Sequence, residues 1–318
     1  MTSGKQYKGC QRYIDMWALP GVHPSNIELL QKLKTADTNH FTTHMDCVGT
    51  VSTLDEKTEQ WEESHMVGLR TDVWKPDAEE LHSSIRSLKD KRRREIKQSI
   101  KRSGRLSEQQ KQRLEDDISE DEIMQMQSSD LLSRRLVMKL FRTTGERMSW
   151  VGTIEEVTTA EVHNSMGTKK PLLTMAVMLT RMQQVSYIQQ NHRTFRIPSL
   201  FSFCFHDSQR MWNVLLRRHW VSIGADFDVE ADGEPIGEVD GKLFTFGSDS
   251  HLVIDPHPLA EQTRFVDLMT LFAASVGYHR AMRRSIDARV QATLDGQWHR
   301  NMIEDEELRL RHNGRAAA

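Results

Sequence analysis

The stretch Phe265-Val-Asp-Leu-Met-Thr-Leu-Phe-Ala-Ala-Ser-Val-Gly-Tyr278 decides the fold. Between Phe265 and Gly277 only Asp267, Thr270 and Ser275 are polar. Residues 259–284 read as one helix entered after the breakers Pro256 and Pro258. A helix apolar on nearly every face has to be enclosed on all sides. The run is shorter than the ~20 residues that cross a bilayer, so protein, not lipid, is expected to surround it. A closed β-barrel supplies such a surround, because its edges vanish and its lumen must be filled.

The sequence upstream has the texture of a barrel wall. Short segments rich in β-formers, bounded by Gly, Pro, Asn or Asp, occur at 149–155, 172–181, 184–189, 194–197 and 200–206. Residues 207–255 then hold two similar units. Each opens on a turn acid and places two apolar residues three apart (Met211 and Val214; Ile236 and Val239). A basic residue follows (Arg217; Lys242), then an alternating pair leading into Gly-x-Asp (Gly224 and Asp226; Gly247 and Asp249). Asp232-Gly233 tolerates the positive φ of a tight hairpin. Units of this kind bury their apolar faces only by stacking on neighbours, which predicts a meander. Asp226 and Asp249 read as equivalent turn residues.

The hairpin Gly233-Glu-Pro-Ile-Gly-Glu-Val-Asp-Gly-Lys-Leu-Phe-Thr-Phe-Gly247, then a strand, then the apolar helix ending in Tyr278-His279-Arg280, resembles the LURP-one-related members of the tubby C-terminal-like superfamily. Phospholipid scramblases are relatives of that group. The resemblance covers residues 200–284. It implies a twelve-stranded barrel around a hydrophobic C-terminal helix, and a binding module that touches anionic lipid. The scramblase membrane segment has no counterpart here, since the long apolar helix is assigned to the barrel centre.

The expected fold class is therefore α+β: an antiparallel β-barrel around a buried hydrophobic C-terminal helix, with a charged helical hairpin inserted or appended. Residues 136–284 form the barrel and its helix, and 285–318 a helical tail with Val290, Leu294, Trp298 and Met302 on an apolar stripe. Residues 1–76 hold two further strand-like stretches, near 45–51 and 65–74, which join the barrel or form a separate small domain. An acidic loop is expected at 55–63. The hairpin occupies 77–135. From Arg86 to Arg105 ten residues are basic and two acidic; from Leu106 to Glu122 seven are acidic and two basic. Opposite charge on two arms around Ser103-Gly104 favours an antiparallel pair that neutralises itself.

With 43 Lys and Arg against 45 Asp and Glu, the net charge of −2 argues against a nucleic-acid-binding protein. Three scattered cysteines fit reduced thiols in a cytosol, with no cysteine-rich metal site, and the resemblance adds a place peripheral to membranes. The first residues carry no apolar run of a signal peptide. No GxSxG, P-loop or GxGxxG occurs, so neither a catalytic constellation nor a cofactor is expected. His206-Asp207-Ser208 reads as a strand end and turn. His40, His44 and Cys47 are the best metal-like spacing. On a strand, however, His40 and His44 lie ~13 Å apart, and joint ligation fails. Two basic groups remain as ligand-binding candidates: Arg217, Arg218 and Lys242 on the barrel wall, and Arg280, Arg283 and Arg284 at the end of the apolar helix. Their ligand would be an anionic phospholipid surface. The 77–135 hairpin could instead carry a protein partner.

Overall fold

The computed structural model describes residues 8–17, 45–55, 57–74, 134–145, 147–168, 170–182, 184–192, 199–207, 209–219, 226–244 and 247–296, with a few single positions between 86 and 98 and residue 132. Twelve antiparallel strands close into one ring: β1 (Cys10–Trp17), β2 (Met45–Asp55), β3 (Gln60–Arg70), β4 (Val137–Thr144), β5 (Arg147–Glu156), β6 (Thr174–Leu179), β7 (Ser186–Gln190), β8 (Leu200–His206), β9 (Met211–Arg218), β10 (Phe227–Ala231), β11 (Glu234–Phe244) and β12 (Gly247–Ile254). Every strand pairs with its sequence neighbour, and β1 pairs with β12 to complete the circle. Closure satisfies both edges of the sheet at once.

The two repeat units are the hairpins β9–β10 and β11–β12, adjacent in the ring as a meander requires. Asp232 (φ 51°) and Gly233 (φ 87°) make the two-residue turn between β10 and β11. Asp249 departs from expectation. It lies inside β12, opposite Asp15 and Lys242, while Asp226 precedes β10 and accepts the Gly241 N–H at 3.1 Å. The spacing matched; the backbone roles did not. Likewise 55–63 is mostly strand, since only 57–59 turn before β3 begins at Gln60. Strand β3 stops at Arg70, and Thr71–Trp74 forms one helical turn. The candidate strand 194–197 and nearly all of the charged hairpin lie outside the described residues. The first three strands belong to the ring, so the wall draws on residues 10 to 254.

Helix α1 (Thr158–Ser165) lies between β5 and β6. Helix α2 (Thr263–Ser275) is buried without a break from Phe265 to Ser275. Strands around the whole circumference reach it. Arg12 of β1, His65 of β3, Met175 of β6, Phe201 of β8, Phe227 of β10 and Ser250 of β12 all touch α2 side chains or carbonyls. A Cβ on Gly152 of β5 would lie 2.5 Å from Leu179 Cδ2 and 3.1 Å from Leu271 Cδ1, so glycine there admits the helix. The chain does not stop at residue 284. Through a 3-10 turn, Val276–Tyr278, it continues into α3 (His279–Leu294), with Met282, Ile286 and Ala292 buried and Leu294 exposed. Trp298 and Met302 lie outside the described residues.

The buried polar residues of α2 are each accounted for. Thr270 Oγ1 donates to Val266 O at 2.7 Å, and Ser275 Oγ donates to Phe272 O at 2.7 Å. Asp267 accepts from Arg12 Nη1 at 2.8 Å, and the same nitrogen also donates to Thr270 Oγ1 at 2.8 Å. Buried polar groups partnered in this way leave the helix free to pack.

Phe272 meets Phe201 at 5.4 Å and Phe227 at 5.3 Å, both edge to face. Phe272→Ala is expected to cost about 3–5 kcal/mol through the cavity it opens. Urea unfolding checks this: the midpoint falls while the slope stays constant.

Candidate functional site

Antiparallel closure sorts the connections between two ends of the ring. The short connections after β2, β4, β8 and β10 share one end with the start of α2. The long connections 18–44 and 71–136, α1, and the passage from α2 into α3 share the other. The longest connections are therefore placed at the second end, and loops on a rigid scaffold are where binding surfaces are commonly built.

Three basic side chains meet there. Arg218 closes β9, and its backbone N–H donates to the Ser199 carbonyl at 2.9 Å. Arg283, on the second turn of α3, donates from Nη2 to Ser199 Oγ at 3.0 Å, and Gln190 Nε2 donates to the same hydroxyl at 3.4 Å. His279 packs between Phe201 and Phe272 at 5.5 and 5.8 Å and hydrogen-bonds Ser275 Oγ at 3.4 Å. Burial, then the charges of Arg283 and Arg218, pushes the His279 imidazole down to about 3, so the ring is neutral. Burial and the neighbouring Arg218 also lower Arg283, against the opposing pull of Asp287. A guanidinium lowered by a second one beside it marks a local excess of positive charge.

The structure divides the six predicted basic residues. Arg218 and Arg283 come together. Arg280 and Arg284 face solvent on α3 beside them, in its first two turns and not at a helix C-terminus, because the chain runs on to Leu294. Arg217 and Lys242 do not join. Neighbouring residues of a strand point to opposite faces, so Arg217 turns to the outer wall and pairs with Glu230 at 3.1 Å. Lys242 stands exposed on β11, two strands away, across from Asp249.

His40 and His44 lie outside the described residues. Cys47 is buried in β2, donates weakly to Gly49 O at 3.7 Å, and burial pushes its thiol up to about 12. A thiol held protonated is a poor metal ligand. Among the described residues no group of three or more His, Cys, Asp and Glu is placed to hold a metal. Asp207 Oδ2 accepts from Trp212 Nε1 at 2.6 Å, and its Oδ1 accepts the N–H groups of Gln209 and Arg210 at 2.8 Å, which fixes the β8–β9 turn.

Two buried ionic clusters had no usable sequence signal, since their members lie far apart in the chain. At the short-turn end, Asp267 meets Arg12 at 2.8 Å, Arg142 at 3.8 Å and His65 Nε2 at 3.9 Å. Burial, then Arg12 and Arg142, pushes His65 down to about 3. Ser64 Oγ, 2.8 Å from Nδ1, and Arg142 Nε, 3.4 Å from Nε2, hold the neutral ring. A carboxylate engaged by two guanidiniums is an anchor for α2. At the long-loop end, fully buried Arg289 of α3 pairs with Glu161 of α1 at 3.1 Å and Glu156 of β5 at 3.7 Å. It also donates to the carbonyls of Leu132 and Arg134. Burial raises the Glu156 carboxyl. Arg135 N–H donates to Val73 O at 2.9 Å, Arg134 lies 5.4 Å over Trp74, and Trp74 meets Tyr278 at 5.2 Å. The segment between Trp74 and Leu132 therefore leaves and re-enters the fold at one clamped point.

A scan against family models finds no match, and no curated protein and no solved structure matches the chain. Among the described residues no helix is long and apolar enough to cross a membrane.

The two buried histidines tie stability to pH. Their folded values near 3 lie below the ordinary 6.5, so between these limits the unfolded chain binds more protons and stability rises with pH. Stability is complete above 6.5 and declines on acidification toward 3. His279→Phe, which keeps the ring packing, is expected to reduce the slope below pH 6 by up to about 1.4 kcal/mol per pH unit. Urea titrations at several pH values read the difference.

Proposed function

We propose that this protein is a non-enzymatic binding module that recognises the phosphate of an anionic lipid headgroup at the end of the barrel where α2 passes into α3. The nearness of the Arg218 charge to Arg283, which is held at the Ser199 hydroxyl, with Arg280 and Arg284 exposed alongside, carries the reading. Partly desolvated guanidiniums present planar donors that match phosphate oxygens. Their cost in the empty protein, felt as the lowered affinity of Arg283 for its proton, is recovered when an anion arrives. A closed ring around a buried C-terminal helix is also the architecture implied by the resemblance to tubby-like and LURP-one-related proteins, though fold alone does not assign function. The protein would act in the cytoplasm as a peripheral binder and would need no cofactor.

Co-sedimentation with vesicles of phosphatidylcholine alone, or with added phosphatidylserine or phosphoinositide, tests the reading at low and physiological salt. Binding should require the anionic lipid and weaken with salt. Juxtamembrane basic residues contribute about 1 kcal/mol each, so Arg280→Ala with Arg284→Ala should weaken binding roughly thirty-fold without unfolding the barrel. Absence of binding at low salt would reject the lipid assignment.

A second reading rests on the clamped stem. Arg289, Arg134 and Trp74 hold both ends of the 75–131 insertion against α3, as suits a segment presented to a protein partner. Deleting 77–131 across this stem should preserve the barrel and abolish capture of such a partner; unchanged capture would exclude the adaptor role.

A further inference from the structure

The outer wall carries a second constellation, on strands that take no part in the arginine site. Strands β12, β1, β2 and β3 are consecutive in the ring. Tyr13 of β1 and His251 of β12 are register partners. Trp61 of β3 leans across β2 toward both, with ring centroids 6.1 Å from Tyr13 at 61° and 5.7 Å from His251 at 70°. Trp61 is 45% exposed and Tyr13 38%. Of the five large apolar side chains exposed among the described residues, these two touch each other.

The same face is acidic. Asp15 and Asp249 lie directly opposite each other on β1 and β12, one pair along from Tyr13 and His251 on the same face. The Tyr13 hydroxyl hydrogen-bonds Asp249. Glu63 follows Trp61 by two residues and shares its face. Lys242, across from Asp249 on β11, is the basic neighbour in register. Like charges directly opposite on a sheet are unfavourable. Three steeply inclined rings, with Glu63 in the Tyr13–His251 row and the Asp15–Asp249 pair two residues along from it, complement a cation.

We propose that Trp61, Tyr13 and His251, with Asp15 and Asp249, form a binding site for the trimethylated lysine side chain of a basic peptide. The chemistry narrows the ligand. A plain ammonium is compact and strongly hydrated and gives up water reluctantly. A trimethylammonium group carries its charge on methyls that cannot hydrogen-bond, and aromatic faces attract it through their quadrupoles. A phosphocholine headgroup carries the same cation, but it would bring a phosphate against Asp15, Asp249 and Glu63. A methyl-lysine in a basic peptide brings only positive charge to that rim.

The experiment uses the full chain and four probes: a basic peptide with one trimethyllysine, the same peptide with plain lysine, the same peptide with the neutral tert-butyl carbon isostere, and phosphocholine. NMR follows the methyl proton resonance of each methylated probe, and calorimetry gives its affinity. The trimethyllysine peptide should show a saturable upfield ring-current shift and bind about two- to five-fold tighter than the neutral isostere, the advantage a cation–π contact confers at an exposed site. Phosphocholine should bind more weakly still. Trp61→Ala should remove the shift, and Trp61→Phe should keep part of it, which separates loss of the ring from any general disturbance. Asp249→Asn should weaken binding of the cation and leave the isostere unchanged. Equal binding of peptide and isostere, full binding by Trp61→Ala, or no shift at millimolar peptide would overturn the proposal and leave the three rings as cross-strand packing. Tighter binding of phosphocholine than of the peptide would overturn the choice of ligand.

Discussion

The enclosure of α2 by the ring is the constraint on which everything else depends. An apolar helix in water would aggregate, and an empty ring of twelve strands would collapse or fill with solvent. Each needs the other. Phe265, Leu268, Leu271 and Phe272 are fully buried, and the interior residues of strands around the circumference, such as Ile14, Val67, Leu140, Val177, Phe201, Val229 and Leu252, point at them. The helix follows β12 in sequence, so the ring is filled by residues that come after its closing strand.

Within that enclosure the few buried charges fix register. Arg12 reaches from β1 to Asp267, His65 and the half-exposed Arg142 close around the same carboxylate, and Arg289 ties α3 to α1 and to the segment entering β4. Buried ion pairs contribute little net stability compared with apolar replacements, but a partner left alone costs several kcal/mol. Their effect here is to specify how far α2 slides along the ring and where α3 comes to rest. That placement in turn sets Arg283 beside Arg218.

The sequence was most informative where a single physical rule dominated. Apolarity on every face of 265–277 required enclosure, and enclosure by strands required closure. Asp232-Gly233 marked its hairpin because the turn needs two positive φ values. Legibility failed where partners are remote. Nothing local links Arg12 to Asp267 or Arg289 to Glu161, and pairs separated by 255 and 128 residues are visible only once the ring exists. Arg217 and Arg218 illustrate the middle ground. Their presence was plain, but strand alternation sends one to Glu230 and the other to the site, and which goes where depends on the register of β9. Asp249 failed for a related reason: β12 already begins at Gly247, so the whole turn-like Gly-x-Asp spacing sits inside a strand.

Native-state hydrogen exchange of the α2 backbone tests the enclosure most directly. The amides from Leu268 to Ala274 should exchange only through global unfolding, with the same free energy as the slowest strands and the same response to denaturant. Exchange of those amides at the rate of a surface helix, or by local opening while β1 and β12 stay protected, would contradict a ring closed around its helix.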